Sequence, residues 1–163
     1  MTQSAHGLYF EDYVLGHTLV TRGRTVTEAD IVAFGTLTGD LNPMHMDAEY
    51  MKDHLFGQRI AHGMLSLSYA VGQAFQLGFM EKTVIAFRSL EMKFMLPVFI
   101  GDTLTVELTI ADLKPAVRLG GGVVTIEAKI MNQRGEVVQK GTWVTLVMKR
   151  PTDEPTDAAP QDQ

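Results

Sequence analysis

Hydrophobic and polar residues follow two different rhythms along this chain: helical spacing through the first half, residue-by-residue alternation through the second. Val26-Thr27-Glu28-Ala29-Asp30-Ile31 reads as a helix start. Thr27 can accept from free backbone N–H groups, Asp30 stands where a capping box places Glu, and Val26 and Ile31 can close over the turn as a hydrophobic staple. That helix is expected to stop near Gly39, and Asp47 to cap a second short helix through Tyr50 and His54. Ala61–Gly78 is apolar on nearly every face and rich in small residues, the composition of a buried helix that other backbone approaches closely. A short strand is expected at Thr18–Arg24. Further strands read at Val84–Leu96, Asp102–Leu113, Val123–Asn132 and Val137–Met148, separated by Pro97, Gly101-Asp102, Lys114-Pro115, Gly120-Gly121-Gly122 and a turn at Asn132–Gly135. Within Val123–Ile130 the set Val124, Ile126, Ala128 and Ile130 is apolar and the other set mixed, as in a sheet with one face on a core. Strands joined by local turns imply hairpins, so the class is α+β: a buried helix wrapped by an antiparallel sheet.

The chain has 163 residues, 45% of them hydrophobic, which suits one domain over residues 1–150. Residues 151–163 are proline-bearing and acidic, cannot bury apolar area, and are expected to be disordered. Removing the four carboxylates of this tail (Asp153, Glu154, Asp157, Asp162) from the net charge of -5 leaves -1 on the rest, which argues against a nucleic-acid partner. With no cysteine, disulfides, thiolate metal sites and a Cys nucleophile are excluded, and the composition suits a reducing cytoplasm. The first ten residues lack the basic start and apolar stretch of a signal peptide. Ala61–Met80 contains His62, Ser66, Ser68, Gln73 and Gln76 and runs into Glu81-Lys82, so a core helix is expected rather than a membrane span.

Candidate chemistry concentrates in Gly39-Asp40-Leu41-Asn42-Pro43-Met44-His45 and in His62-Gly63 at the head of the apolar stretch. Pro43 keeps Asn42 out of the α region, which predicts a tight irregular loop carrying Asp40 and His45. An Asx turn followed by a surface histidine is the plainer reading of the same residues. A metal set of Asp40, His45, Asp47 and His54 lacks the paired helical ligands of zinc enzymes, and no metal is expected. Gly120-Gly121-Gly122 has no following Lys-Ser/Thr and leads into a strand, so it reads as a turn rather than a phosphate loop. Ser66 and Ser68 are not framed by a Gly-x-Ser-x-Gly elbow.

Phe34 through Asp47, then Phe56, then Ile60-Ala61-His62-Gly63-Met64, resemble the signature of the MaoC-like (R)-specific enoyl-CoA hydratases and dehydratases. Phe94 through Leu104 resembles the strand and turn those proteins carry downstream, and the likeness extends over about residues 10–150. The resemblance implies a hot-dog fold, one long helix wrapped by a curved antiparallel sheet. It also implies reversible syn hydration of a trans-2-enoyl thioester, on CoA or acyl carrier protein, to the (3R)-hydroxyacyl thioester. No cofactor is implied; a homodimer, or an assembly of dimers, with sites at or near the subunit boundary is. Hydration needs a base for water, a proton for Cα and stabilisation of the enolate oxygen. Asp40 is expected as the base, His45 as its partner and the donor to Cα, and the Gly63 backbone N–H as the oxygen's donor. Asn42, Phe56, His62 and Ser68 are expected to bind substrate or support the site, His62 also reading as a satisfied structural histidine. Where some relatives carry a hydroxyl one turn further along the helix, this chain has Val71, and Ser68 and Ser66 are the candidates for a supporting hydroxyl. A hot-dog thioesterase and a non-catalytic acyl-thioester binding module remain open alternatives.

Overall fold

The computed structural model describes residues 7–151; residues 1–6 and the acidic tail beyond Pro151 lie outside the described residues. Helix α1 (Glu28–Thr38) begins and ends where the capping signals place it. Thr27 Oγ1 accepts the Asp30 N–H at 3.2 Å, and the Asp30 carboxylate accepts the Thr27 N–H at 2.8 Å. Gly39 takes the left-handed φ of 78° that ends the helix, and Val26 and Ile31, the expected staple, are both fully buried.

The loop expected after Asn42 is instead a helical turn, α2 (Pro43–Met46). Pro43 drives Asn42 to φ -54°, ψ 134°, which is the non-helical geometry an N-cap needs, and the Asn42 side chain accepts the Met44 N–H at 3.1 Å. One constraint thus ends the connection and starts the next element. Helix α3 (Ala48–Lys52) is capped by Asp47, which accepts the Tyr50 N–H at 2.9 Å, and stops before His54.

Helix α4 (Gly63–Gln76) is shorter than the expected Ala61–Gly78. Leu65, Ser66, Leu67, Tyr69, Ala70, Gln73 and Ala74 make its buried side. The stripe through Met64, Ser68, Gly72 and Phe75 is exposed, so α4 is not enclosed on every face as its composition suggests.

Strands β1 (Thr18–Val20), β2 (Arg24–Thr25), β3 (Val84–Phe94), β4 (Thr103–Ala116), β5 (Gly121–Met131) and β6 (Val137–Met148) form one antiparallel sheet in the order β1-β4-β5-β6-β3, with β2 also on β4. Its inner face carries Leu104, Val106, Leu108 and Ile110 from β4 and Val124, Ile126, Ala128 and Ile130 from β5, none more than 2% exposed. They share one core with Leu65, Leu67, Ala70 and Ala74 of α4, the helix-on-sheet arrangement the period change predicts.

Two departures have clear causes. Thr18–Arg24 is not one strand, because Thr21 Oγ1 takes the Val106 N–H at 2.9 Å and the Arg22 carbonyl turns to accept from Gln73 Nε2. Gln73, buried on α4, also donates to the Leu104 carbonyl at 3.0 Å, so a helix-to-sheet tie replaces part of the ladder. Strand β4 runs through the expected Lys114-Pro115 break, since Pro115 pairs with Gly122 near the end of the hairpin, where a missing N–H is tolerated. Only Gly120 of the glycine triplet makes the turn; Gly121 and Gly122 open β5. Among the described residues no helix is long and apolar enough to cross a membrane.

Candidate active site

Helix α2 carries His45 into the interior, where it is 7% exposed and its Nδ1 lies 2.8 Å from the Ile60 carbonyl oxygen. A carbonyl only accepts, so Nδ1 bears the ring proton and Nε2 of the neutral imidazole bears a lone pair. The His45 pKa is lowered, chiefly by burial; the Ile60 carbonyl and Asp40 pull it up, and His62 pushes it further down. The ring is therefore neutral at pH 7.

His62, 2% exposed, stacks on His45 with ring centroids 3.8 Å apart and planes 29° apart. Its Nε2 donates to the Asp40 main-chain carbonyl at 2.9 Å, joining the head of α4 to the residue that follows α1. Asp40 itself is exposed, and its carboxylate accepts the Asn42 N–H at 3.4 Å. One donor atom each from Asp40, His45 and His62 lie within 4.8 Å of one another. Two hydrogen bonds of about 2.8 Å to a single water span roughly 4.5 Å, so one water fits between such groups. The same trio is the donor set that could meet a cation. One nitrogen of each imidazole is already engaged, His45 Nδ1 on the Ile60 carbonyl and His62 Nε2 on the Asp40 carbonyl. Asp47 is engaged as the α3 cap and His54 packs on Tyr50, so the metal set weighed from sequence is not assembled.

The head of α4 differs from the other three helices. Thr27, Asn42 and Asp47 each offer a side chain to the first turn that follows, whereas His62, the N-cap of α4, makes no side-chain cap. The N–H groups of Leu65 and Ser66 both go to the His62 carbonyl, leaving those of Gly63 and Met64 without an intrahelical acceptor. A cavity of about 760 Å³ opens beside them, lined by His45, Gly63, Phe56, Ser66, Phe94 and Gln139 and walled by apolar groups such as Ile60, Leu96 and Val98.

His45, Gly63 and Phe56 thus stand together on the cavity, with Asp40 exposed beside His45 rather than in the wall. Asn42 serves the start of α2, and His62 lies behind the wall, bracing Asp40 and His45. Ser68 is on the exposed stripe and donates to the Met64 carbonyl at 2.8 Å; Ser66 is the serine that reaches the cavity. Sequence reasoning missed the Ile60 carbonyl, which carries no side-chain signal, and Gln139. The signal for Gln139 was available: alternation along β6 puts it on the face of Trp143, Thr145 and Val147, all buried.

A curved antiparallel sheet laid on one helix, with polar groups gathered at that helix's head, defines the hot-dog class. The chain belongs to the MaoC-like domain family, whose model matches residues 12–132. It is 36% identical over 110 residues to an (R)-specific enoyl-CoA hydratase of Rhodospirillum rubrum, covering 66% of this chain and 72% of that protein. Protein MaoC of Klebsiella aerogenes is 42% identical over 102 residues, 62% of this chain, but the chain spans only 30% of its length. Among solved structures, a MaoC-like dehydratase from Rhodospirillum rubrum matches with a TM-score of 0.81 at 31% identity, over 90% of this chain and 100% of that one. A protein of Archaeoglobus described as a monoamine oxidase regulatory protein matches with a TM-score of 0.84 at 38% identity, over 90% and 97% of the two chains.

Because the folded state holds His45 neutral, the unfolded chain binds that proton first as pH falls. The stability linked to this group is intact above the ordinary value of 6.5 and declines as pH drops from there toward the lowered folded value. Denaturant titrations across that window should show a shallower loss for His45→Gln than for the natural chain; identical slopes would contradict the assignment.

Proposed function

We propose that this enzyme hydrates a trans-2-enoyl thioester reversibly to the (3R)-3-hydroxyacyl thioester. The observation that carries the reading is a His45 ring held with its Nε2 unprotonated, a ring nitrogen of His45 and the Asp40 carboxylate within 4.8 Å of each other, next to two unclaimed N–H groups and an apolar cavity. The names of relatives support the class: (R)-specific enoyl-CoA hydratases in Rhodospirillum rubrum and Aeromonas caviae and a 3-hydroxybutyryl-CoA dehydratase in Methylorubrum extorquens. The apolar walls suit an acyl chain, with CoA or acyl carrier protein as its carrier.

The chemistry follows from the conjugation of the double bond with the thioester carbonyl. Attack of water oxygen on C3 moves an electron pair through Cα onto the carbonyl oxygen, where the Gly63 and Met64 N–H groups and the positive end of α4 meet it. Loss of a donor of this kind typically costs about 10² to 10³ in turnover. As the C3–O bond forms, His45 Nε2 takes one water proton and becomes an imidazolium beside the Asp40 carboxylate. That proton then passes to Cα, the carbonyl re-forms, and His45 is neutral again. Water has been added whole, and both new bonds form on the face that meets His45.

This division of labour moves the first proton transfer from Asp40, where sequence reasoning puts it, to His45. The reason is the Ile60 carbonyl, which holds the ring with its basic nitrogen free. Asp40 orients the water and balances the transient positive charge.

A homodimer completes the proposal. Strand β3 ends the sheet with an unpaired edge and exposes Ile85, Phe87 and Leu90, each 40–43% accessible. Met64 and Phe75 are exposed on α4 as well. A long apolar edge left open templates pairing with another chain, and a second copy supplies an equivalent edge. A cytoplasmic location belongs to the same reading, on the cysteine-free composition.

Purified protein with crotonyl-CoA should lose the conjugated absorbance without releasing thiol; thiol release would instead mark a thioesterase, and neither change a binding module. Asp40→Asn and His45→Gln should each lower turnover by about 10² or more with the fold intact, and near-normal rates in either would refute its role. Light scattering should give twice the 18.0 kDa chain mass, and Leu90→Asp should shift the protein toward monomer. A natural chain that is monomeric at micromolar concentration would remove the dimer from the proposal.

A further inference from the structure

Gln139 of β6 and Phe94 of β3 are register partners across the sheet, and both reach a single residue of α4, Gly63. Gln139 Nε2 donates to the Gly63 carbonyl at 2.9 Å. The Phe94 ring lies where Gly63 would carry a side chain, 2.6 Å from the position of an added Cβ. The orientation of the amide is settled by chemistry, because the Gly63 carbonyl only accepts and must face the NH₂ end. Oε1 then points elsewhere, and it is buried without a partner, as is Ser66 Oγ in the same cavity wall.

A buried polar atom left unpaired lowers stability. An apolar side chain of similar volume would fill the Gln139 position, itself 2% exposed, without that cost. What it could not do is hold the Gly63 carbonyl. Glycine is the residue least able to fix its own backbone, and here it opens a helix with no side-chain cap. Its carbonyl shares a peptide plane with the Met64 N–H, one of the two free donors at the head of α4. A bond that fixes the carbonyl fixes the direction of that N–H, and accepting a hydrogen bond also makes the N–H of the same peptide a stronger donor.

We infer that Gln139 is a positioning residue that clamps the Gly63–Met64 peptide, so that the Met64 N–H stays aimed at the thioester oxygen. The inference rests on the hydration reading and extends it, placing part of the oxyanion machinery on β6, far along the chain from the Asp-His motif. Gln139 touches no reacting atom; it acts through Gly63.

Gln139→Met keeps the volume and removes the donor. With crotonyl-CoA it should lower kcat about tenfold or more while KM stays within about threefold, because the N–H groups meet more charge in the transition state than in the substrate. Gln139→Glu supplies a readout that a merely structural role would not move. Its ionised carboxylate cannot donate and its protonated form can, so its rate relative to the natural enzyme should rise as pH is lowered. The third measurement uses no substrate: amide resonances of Gly63 and Met64 should move in ¹⁵N-labelled Gln139→Met protein. Turnover of Gln139→Met within twofold of normal, or a Gln139→Glu ratio constant with pH, would overturn the inference. If the natural chain fails to hydrate any enoyl thioester, the hydration reading falls, and the clamp stands or falls on whether those two resonances move.

Discussion

One hydrogen bond organises the site: the ring N–H of His62 on the main-chain carbonyl of Asp40. It joins the head of α4 to the residue just beyond the end of α1, so the acid and the helix terminus cannot drift independently. The same ring lies flat on His45, and the Ile60 carbonyl fixes the far side of His45. Asp40, His45 and the helix head are thereby held by three contacts of ordinary chemistry, none of which uses the Asp40 carboxylate or the His45 Nε2. The arrangement leaves the His62 Nδ1 buried without a partner, a local cost accepted within the site.

The second constraint is what the fold leaves undone at α4. Helices α1, α2 and α3 each have a side chain closing their first turn, and α4 does not. In a helix packed on a sheet an open N-terminus at a cavity is a place where negative charge is favoured, through unpaired N–H groups and the dipole together. Absence of a side chain at Gly63 lets the Phe94 ring close on the main chain and keeps the terminus bare. Core packing of α4 against β4 and β5 therefore determines where the unpaired N–H groups of Gly63 and Met64 sit, which links the hydrophobic pattern of the chain to the chemistry proposed for it.

Much of this was legible in the residues. The capping box at Thr27 and Asp30, the stop at Gly39 and the bounds of β6 follow from local chemistry that tertiary context leaves alone. That Asp40, His45 and Gly63 come close together was readable because they fall within one short stretch and one helix start. What escaped depended on contacts between distant parts of the chain. The break between β1 and β2 is imposed by Gln73, the stacking of His62 on His45 by the meeting of α2 and α4, and the grip on Gly63 by two strands. From sequence, Pro43 keeps Asn42 out of the α region and predicts a loop, although the geometry it imposes on Asn42 also starts the next turn. The exposed stripe of α4 escaped for a different reason: composition tells that a helix is apolar all round, not how much of that surface one chain can cover.

The account's central claim is that Asp40 and His45 share one water and that the proton His45 takes from it reaches Cα on the same face. Hydration of crotonyl-CoA in D₂O, with the product examined by NMR, tests this most directly. The account predicts (3R)-3-hydroxybutyryl-CoA carrying a single deuterium at Cα, on the same side as the new hydroxyl. A (3S) product, or deuterium placed opposite the hydroxyl or spread over both α positions at the earliest times, would contradict it.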